Sequence, residues 1–175
     1  VLPSDHLIKF NKMYLTTLKD ACQIAEKNAN LVTIGITPDY PETGYGYIKF
    51  DSREPEGRAY KVERFVEKPT LEVAKEYLAS EEYLWNSGQF IWKVSSILKN
   101  IRQYMPDTYE RLMRIQEAIG TPDQERVLEH EFYAMESQSI DYGIMEKAKD
   151  IYILPGTFGW DDVGSWLAVE RIKKT

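Results

Sequence analysis

Leu31-Val32-Thr33-Ile34-Gly35-Ile36-Thr37 is a short apolar, β-branched run that Pro38 ends. A continuous run of this kind predicts a buried strand, because a strand covered on both faces needs no alternation with polar residues. In residues 10–27, just before it, apolar side chains recur at spacings of three and four, which predicts a helix with one buried face. These two segments open an alternation of helices and strands that continues along the chain.

Four further runs have strand character: residues 45–50, 60–66, 84–94 and 151–154. The segment between the first two, residues 51–58, has the composition of a hairpin-type loop. Helical patterns occupy much of the remainder: Leu71–Ala79 behind the candidate N-cap Thr70, most of 95–149, and 166–172. The alternation predicts an α/β layered domain with helices flanking a mainly parallel or mixed sheet, and no linker or repeat divides the chain.

The composition excludes several classes of function. The 175 residues carry a formal net charge of −6, which argues against broad binding to nucleic acid or to an anionic membrane surface. One cysteine and two histidines exclude an internal disulfide, a cysteine zinc site and a His-rich site. No apolar run approaches the ~20 residues of a membrane span, so a reducing, cytoplasmic setting is expected. The lone Cys22 falls on the apolar face of the first helix and is expected in the core.

The chain begins Val1-Leu2-Pro3-Ser4-Asp5-His6, which is typical of the last residues of a strand and the loop after it. We therefore expect a fragment whose N-terminal part is missing. Asp5 would follow a strand end, where ligands bind in open α/β sheets, and its carboxylate is a hard ligand suited to Mg²⁺. A turn or a helix cap is the alternative role for Asp5.

Two charged clusters could also carry chemistry. The adjacent acids Asp161 and Asp162 repel each other unless solvated or neutralised, so only one should point at a given site. An acidic start to the last helix is the alternative. In Glu67-Lys68-Pro69, Lys68 could meet a phosphate and Glu67 could accept hydrogen bonds from sugar hydroxyls, unless the two form only a surface ion pair.

Two clusters contain glycine. Gly44 and Gly46 flank Tyr45, which suits a close approach of backbone to a ligand or a simple turn. Asn86-Ser87-Gly88 interrupts a strand, as a bulge or as polar groups that reach a ligand. The sequence has no G-x-G-x-x-G, no G-x-x-x-x-G-K-[ST] and no G-x-S-x-G motif, so the standard nucleotide loops and the hydrolase elbow are absent.

Taken in order, seven motifs resemble those of the sugar-phosphate nucleotidyltransferases. They are PSDH (3–6), GITP (35–38), TGYGYI (43–48), FVEKP (65–69), WNSGQF (85–90), SIDYGIME (139–146) and GWDDVGSW (159–166). The first and sixth favour the mannose/guanine branch over the glucose/thymine and adenine branches. The resemblance covers nearly the whole chain and implies a Rossmann-like nucleotidyltransferase fold with a mixed, mainly parallel sheet. Residues 1–175 would then be the C-terminal part of a single catalytic domain.

The resemblance implies transfer of GMP from GTP to α-D-mannose 1-phosphate, giving GDP-mannose and pyrophosphate. Asp5 and Asp162, the acidic pair, would hold Mg²⁺ between the two phosphates. Asp161 is the less suitable ligand, because the family acid stands two residues after Trp160 and two before Gly164.

The resemblance also assigns a sugar-side set, Gly46, Glu67, Lys68 and Asn86. Lys68 would meet the sugar phosphate and act in catalysis with the acidic pair. Glu67, Asn86 and the backbone of Gly46 would hold the mannose. Family members are often dimers or larger, so a homodimer is expected.

The chain departs from the family at its start. The Gly-rich N-terminal signature, with the Arg and Lys that grip the triphosphate and the loop that reads the base, is absent from the sequence. Those parts would precede Val1, in agreement with a fragment. The chain by itself is therefore expected to have little or no transferase activity.

Three alternatives stay open. The sugar-side set does not fix the sugar epimer, so another sugar 1-phosphate could be the substrate. A non-catalytic, pyrophosphorylase-like regulatory subunit is a second alternative, although such a subunit need not keep both members of the acidic pair. A glycosidase that uses Glu67 with an Asp is the third, and it would need neither nucleotide nor metal.

Overall fold

The structure, a computed structural model, describes residues 1–28, 30–164 and 166–173. The chain divides into two compact units, Val1–Lys93 with Asp150–Thr175 and Val94–Lys149. The expectation that residues 1–175 belong to one catalytic domain stays a prediction. Among the helices in the described part of the chain, none is long and apolar enough to cross a membrane.

The first unit contains all the described strands and three helices. Its strands are β1 (His6–Ile8), β2 (Leu31–Ile36), β3 (Tyr47–Glu56), β4 (Ala59–Val66), β5 (Tyr83–Ile91), β6 (Ile151–Gly156) and β7 (Trp160–Asp162). Its helices are α1 (Asn11–Asn28), α2 (Leu71–Ser80) and α6 (Trp166–Lys173). The second unit contains α3 (Val94–Tyr104), α4 (Pro106–Ala118), α5 (Gln124–Tyr133) and a π-helical turn (Asp141–Met145). The predicted helices and strands of the first unit are confirmed, apart from shifts at their ends.

Five strands form one sheet in the order β2-β5-β3-β4-β6, and β6 closes it by pairing with β2. The mixed α/β class is confirmed. The expectation of a mainly parallel sheet is wrong for the described strands, since β2–β6 is parallel and the other four pairings are antiparallel. The reason is that β3 and β4 form a hairpin and β5 runs back between β2 and β3.

The helix α1 covers this sheet with small side chains. Ala21 and Ala25 are buried against Val32, Ala59 and Leu154. The expected core position of Cys22 is wrong, because Cys22 is exposed. Neighbouring residues on an α-helix point about 100° apart, so a buried stripe through Ala21 turns the next side chain away from the sheet.

Local turns and caps differ in how well the sequence predicted them. Thr70 caps α2 as predicted, and its hydroxyl accepts a hydrogen bond from the Val73 amide at 3.5 Å. The loop predicted at 51–58 is mostly strand, because β3 continues to Glu56, which pairs with Ala59. Gly57 makes this tight turn with a φ of +65°, a left-handed conformation that favours glycine.

A bulge in β5 places the Asn86-Ser87-Gly88 cluster. Thr33 pairs with Phe90 and Gly35 pairs with Asn86, so β5 has extra residues opposite β2. Gly88 has a φ of +66°. The interrupted strand is therefore a bulge, and it aims successive polar groups in different directions.

The strands β1 and β7 form a separate antiparallel pair that local patterns did not predict. His6 lies opposite Asp162, and Ile8 lies opposite Trp160. The expected strand end at Val1 agrees with two hydrogen bonds, from the Val1 amine to the Phe90 carbonyl at 2.7 Å and from the Phe90 amide to the Val1 carbonyl at 3.0 Å, although the first described strand, β1, begins after Asp5.

Gly35→Ala should destabilise the first unit. A Cβ at this position would meet Ile153 Cδ1 and would lie 2.8 Å from Leu84 Cβ, so β2, β5 and β6 would have to separate. We expect a loss of about 1–3 kcal/mol in the free energy of unfolding, as for other overpacked cores. Urea unfolding measures it, with Gly44→Ala as the control, since the neighbour of Gly44 is the flexible end of Glu42. Equal midpoints for the two variants would contradict this packing.

Candidate active site

The β1–β7 pairing brings three metal-capable side chains together. Each of the three residues Asp5, His6 and Asp162 offers one ligand atom, and these three atoms lie within 4.8 Å of one another. Two backbone amides hold the arrangement. The Val163 amide donates to the Asp5 carbonyl at 3.0 Å, and the Gly164 amide donates to the side-chain Oδ1 of Asp162 at 2.8 Å. The acidic pair expected from the sequence is thus side by side, across the ends of two strands.

The space beside the acidic pair depends on Gly164. A Cβ at this position would lie 3.0 Å from Asp162 Oδ1 and 3.6 Å from Asp5 Oδ2, so a side chain there would crowd both carboxylates. Asp5 is exposed and Asp162 is half-buried, which leaves carboxylate oxygens accessible. Two hard oxygen donors in an open cradle fit a divalent cation such as Mg²⁺.

His6 differs from the two acids in its hydrogen bonding. The Trp160 indole donates to His6 Nδ1 at 3.0 Å, and the two rings meet edge-on with centroids 5.1 Å apart. Burial lowers the pKa of His6 below its ordinary value, while the negative charges of Asp162 and Asp5 oppose this shift. The imidazole is therefore held mainly in its neutral form.

Asp161 and Asp162 lie on opposite faces of β7, because successive side chains of a strand alternate. Asp161 lines a cavity of about 260 Å³ together with Lys9 and aromatic residues that include Tyr45 and Trp85. The alternative of an acidic helix start is wrong, since both acids belong to β7 and α6 begins at Trp166. Alternation along β7 therefore directs the two carboxylates to different sides of the strand.

Three members of the sugar-side set come into direct contact. The Asn86 backbone amide donates to the Gly46 carbonyl at 2.8 Å. A Cβ on Gly46 would lie 2.6 Å from Glu67 Oε2 and 3.4 Å from the Asn86 Cβ, so only glycine leaves this corner open. Gly44 serves a different purpose, because its amide donates to Glu42 Oε1 at 2.7 Å in a turn.

Lys68 has an unusual backbone conformation. Its φ of +44° lies in the left-handed region, which costs a non-glycine residue about 1 kcal/mol or more. Its Nζ lies 3.6 Å from Glu67 Oε1, and its side chain is 64% exposed against 17% for Glu67. The ion pair considered from the sequence is present, and it leaves the ammonium group accessible.

Two contacts connect the acidic pair with the sugar-side set. The Tyr45 ring, next to Gly46, meets the Trp160 ring edge-on at 5.5 Å between centroids. Gly88, in the bulge after Asn86, faces Pro3, since a Cβ on Gly88 would lie 3.6 Å from Pro3 Cγ. These contacts join segments that flank the two sets of predicted residues.

Sequence reasoning missed two parts of the candidate site, the His6–Trp160 hydrogen bond and the open position at Gly164. Both fall inside quoted motifs, at 3–6 and 159–166. Their roles depend on the β1–β7 register, which local patterns do not encode.

Comparison with known proteins identifies the family. Residues 1–175 match the Nucleotidyl transferase family. The chain belongs to the nucleotidyl transferase family. A mannose-1-phosphate guanylyltransferase of Salmonella montevideo is 41% identical over 178 residues, covering 98% of this chain and 37% of the relative. The mannose-1-phosphate guanylyltransferase of Escherichia coli K12 is 40% identical, with 98% of this chain and 37% of the relative covered.

A solved structure agrees with this nucleotidyl transferase assignment. The crystal structure of a protein from Thermus thermophilus, named mannose-1-phosphate geranyltransferase, superposes with a TM-score of 0.87 at 36% identity. The superposed region covers 100% of this chain and 49% of the solved chain. This nucleotidyl transferase chain thus spans 37% of the length of each of these two relatives and about half the length of the solved protein.

The lowered pKa of His6 predicts a pH dependence of stability in the metal-free protein. Neutral burial of His6 stabilises the fold above the ordinary pKa of 6.5, and that contribution is lost as the pH falls from there toward the lower folded pKa. His6→Asn should reduce this loss, as measured by urea unfolding at about pH 7.5 and pH 5. NMR titration gives a direct check, and a His6 midpoint above 6.5 would contradict the burial argument.

Proposed function

We propose that the whole protein carrying this chain is a mannose-1-phosphate guanylyltransferase. It transfers GMP from GTP to α-D-mannose 1-phosphate and releases pyrophosphate. The observation that carries the proposal is the acidic pair, which the β1–β7 pairing brings together in a member of the nucleotidyl transferase family. The names of the Salmonella montevideo and Escherichia coli relatives support mannose 1-phosphate and the guanylyl group as substrates.

Mg²⁺ is the proposed cofactor, with Asp5 and Asp162 as its protein ligands. Both provide carboxylate oxygens, which Mg²⁺ prefers, and the open cradle at Gly164 leaves room for phosphate oxygens. When bound, the ion neutralises negative charge on the two phosphates as they approach each other. The Gly164 amide holds one oxygen of Asp162 and so fixes the direction of the carboxylate.

The sugar-side set positions the acceptor in this proposal. Glu67 accepts hydrogen bonds from mannose hydroxyls, and Asn86 offers a side-chain amide close by. The Lys68 ammonium, held by its left-handed backbone and by Glu67, attracts the sugar phosphate. These contacts orient the acceptor, which is the main contribution a protein makes to phosphoryl-group transfer.

The reaction is an in-line displacement at phosphorus. A phosphate oxygen of mannose 1-phosphate forms a bond to the α-phosphorus of GTP. The bond from that phosphorus to the oxygen bridging the α- and β-phosphates breaks, and pyrophosphate leaves with the electron pair. No covalent intermediate with the protein is needed, so the residues act by orientation and charge neutralisation.

We also propose that residues 1–175 are the C-terminal part of one catalytic domain, working in a reducing, cytoplasmic setting. A single family match that runs across both compact units supports the assignment to one domain. The presence of only one cysteine in the chain agrees with a reducing setting.

Pyrophosphate release by the whole protein tests the reaction. Release should require GTP, mannose 1-phosphate and Mg²⁺ together. Asp162→Asn should lower the rate on the order of 100-fold or more, because the site loses a charged ligand. Asp161→Asn is the matched control, since this neighbour faces the other side of β7, and it should keep most of the activity. Equal losses in the two variants, or release without the sugar phosphate, would refute the proposal.

A glycine pair tests the sugar side separately. Gly46→Ala puts a methyl group against Glu67 Oε2, which should displace that carboxylate and weaken mannose 1-phosphate binding about tenfold or more. Gly44→Ala, two residues away in the turn, should bind normally. Isothermal titration calorimetry with mannose 1-phosphate and glucose 1-phosphate measures both the loss and the sugar preference. Tight binding by Gly46→Ala would remove Glu67 from the proposed site.

A further inference from the structure

The metal site contains a nitrogen ligand that its proposed ion does not favour. His6 provides a third ligand atom within 4.8 Å of those of Asp5 and Asp162. An imidazole beside two carboxylates suits Zn²⁺, Co²⁺ or Ni²⁺, whereas Mg²⁺ and Mn²⁺ prefer oxygen ligands alone. The selectivity of the site therefore depends on whether His6 can donate a lone pair.

The hydrogen bond from Trp160 decides which nitrogen of His6 carries the proton. An indole N–H can only donate, so His6 Nδ1 must accept with its lone pair at 3.0 Å. In the neutral ring the proton then sits on Nε2. One nitrogen is occupied by the indole and the other is protonated, so the ring has no free lone pair for a metal.

The strand register makes this hydrogen bond possible. His6 pairs with Asp162 and Ile8 pairs with Trp160, so His6, Asp162 and Trp160 share one face of the β1–β7 pair. The indole is held in place by edge-on contacts with His6 at 5.1 Å and with Tyr45 at 5.5 Å. The donor is therefore positioned by packing independently of any bound ion.

We propose that Trp160 is a specificity-determining residue that keeps the metal site selective for oxygen-preferring cations by holding His6 in a tautomer unable to ligate. This inference rests on the metal site of the proposed function and adds the reason for its preference. Without the indole N–H, one nitrogen of the neutral ring keeps a free lone pair, and His6 can become a ligand. The site would then change from two oxygens to two oxygens and one nitrogen.

The test uses Trp160→Phe, which keeps an aromatic ring against Tyr45 and His6 and removes the N–H. Mn²⁺ binding is followed by electron paramagnetic resonance, and Co²⁺ binding by its visible absorption spectrum. We expect a gain of about tenfold or more in Co²⁺ affinity, with Mn²⁺ affinity little changed. Loss of an outer-shell partner alone changes metal affinity about 10- to 100-fold, and a new ligand should change it at least as much. Adding His6→Ala to Trp160→Phe should abolish the gain. Trp92→Phe, at a tryptophan that stacks on Phe90, is the matched control and should behave as the unaltered protein.

The outcomes separate this inference from the proposed function. Mn²⁺ binding that disappears in Asp162→Asn, with an unchanged Co²⁺ to Mn²⁺ ratio in Trp160→Phe, would overturn the role of Trp160 and leave the metal site in place. Loss of Co²⁺ binding in His6→Ala alone would also overturn it, since His6 would then ligate despite the indole. Failure of the unaltered protein to bind Mn²⁺ would overturn the metal site and this inference together.

A second measurement keeps Trp160 and so does not depend on the folding of a Trp160 variant. The chain has two histidines, so ¹⁵N NMR of the ring nitrogens can assign His6 with the help of His130→Gln. We expect Nδ1 to be unprotonated and Nε2 protonated, both without metal and with Mg²⁺. A proton on Nδ1 of His6 would overturn the inference.

Discussion

The antiparallel pairing of β1 with β7 is the contact on which the rest of the site depends. Each strand has three residues, and their register sets His6 against Asp162. The ladder continues through hydrogen bonds from Lys9 to Gly159 at 3.1 Å and from Phe10 to Phe158 at 3.0 Å. Phe158 is fully buried, so this short ribbon is anchored in the core of the first unit. The acidic pair is placed by main-chain geometry and by that anchor.

How well the sequence predicted each element follows from how local its determinants are. The β2 run is buried at every position, and α2 begins behind Thr70, because both carry their signal within a few residues. Three-residue strands such as β1 and β7 are too short for a period of two to stand out, and they become strands only through each other. The mostly antiparallel sheet was missed for a related reason, since alternation of elements does not fix the direction in which β5 returns between β2 and β3.

The same distinction applies to the site. Electrostatic repulsion predicted that Asp161 and Asp162 would not share a site, and alternation along β7 separates them as expected. The choice of Asp162, and the grouping of Gly46 with Glu67, came from family resemblance rather than from any local pattern. Close approach across strands is a property of the folded sheet, so a glycine that makes room and a glycine that makes a turn look alike in the sequence.

The register of the ribbon also sets the order in which the protein can assemble during synthesis. Ile8 pairs with Trp160, which is synthesised roughly 150 residues later. At a synthesis rate of about 5–20 residues per second, this interval lasts roughly 8–30 seconds. The helical unit at 94–149 can make its internal contacts within that interval, while the backbone of β1 still lacks its ladder. While residues 9–159 are being synthesised, β1 therefore has no partner strand, and the two carboxylates cannot meet until β7 has been made.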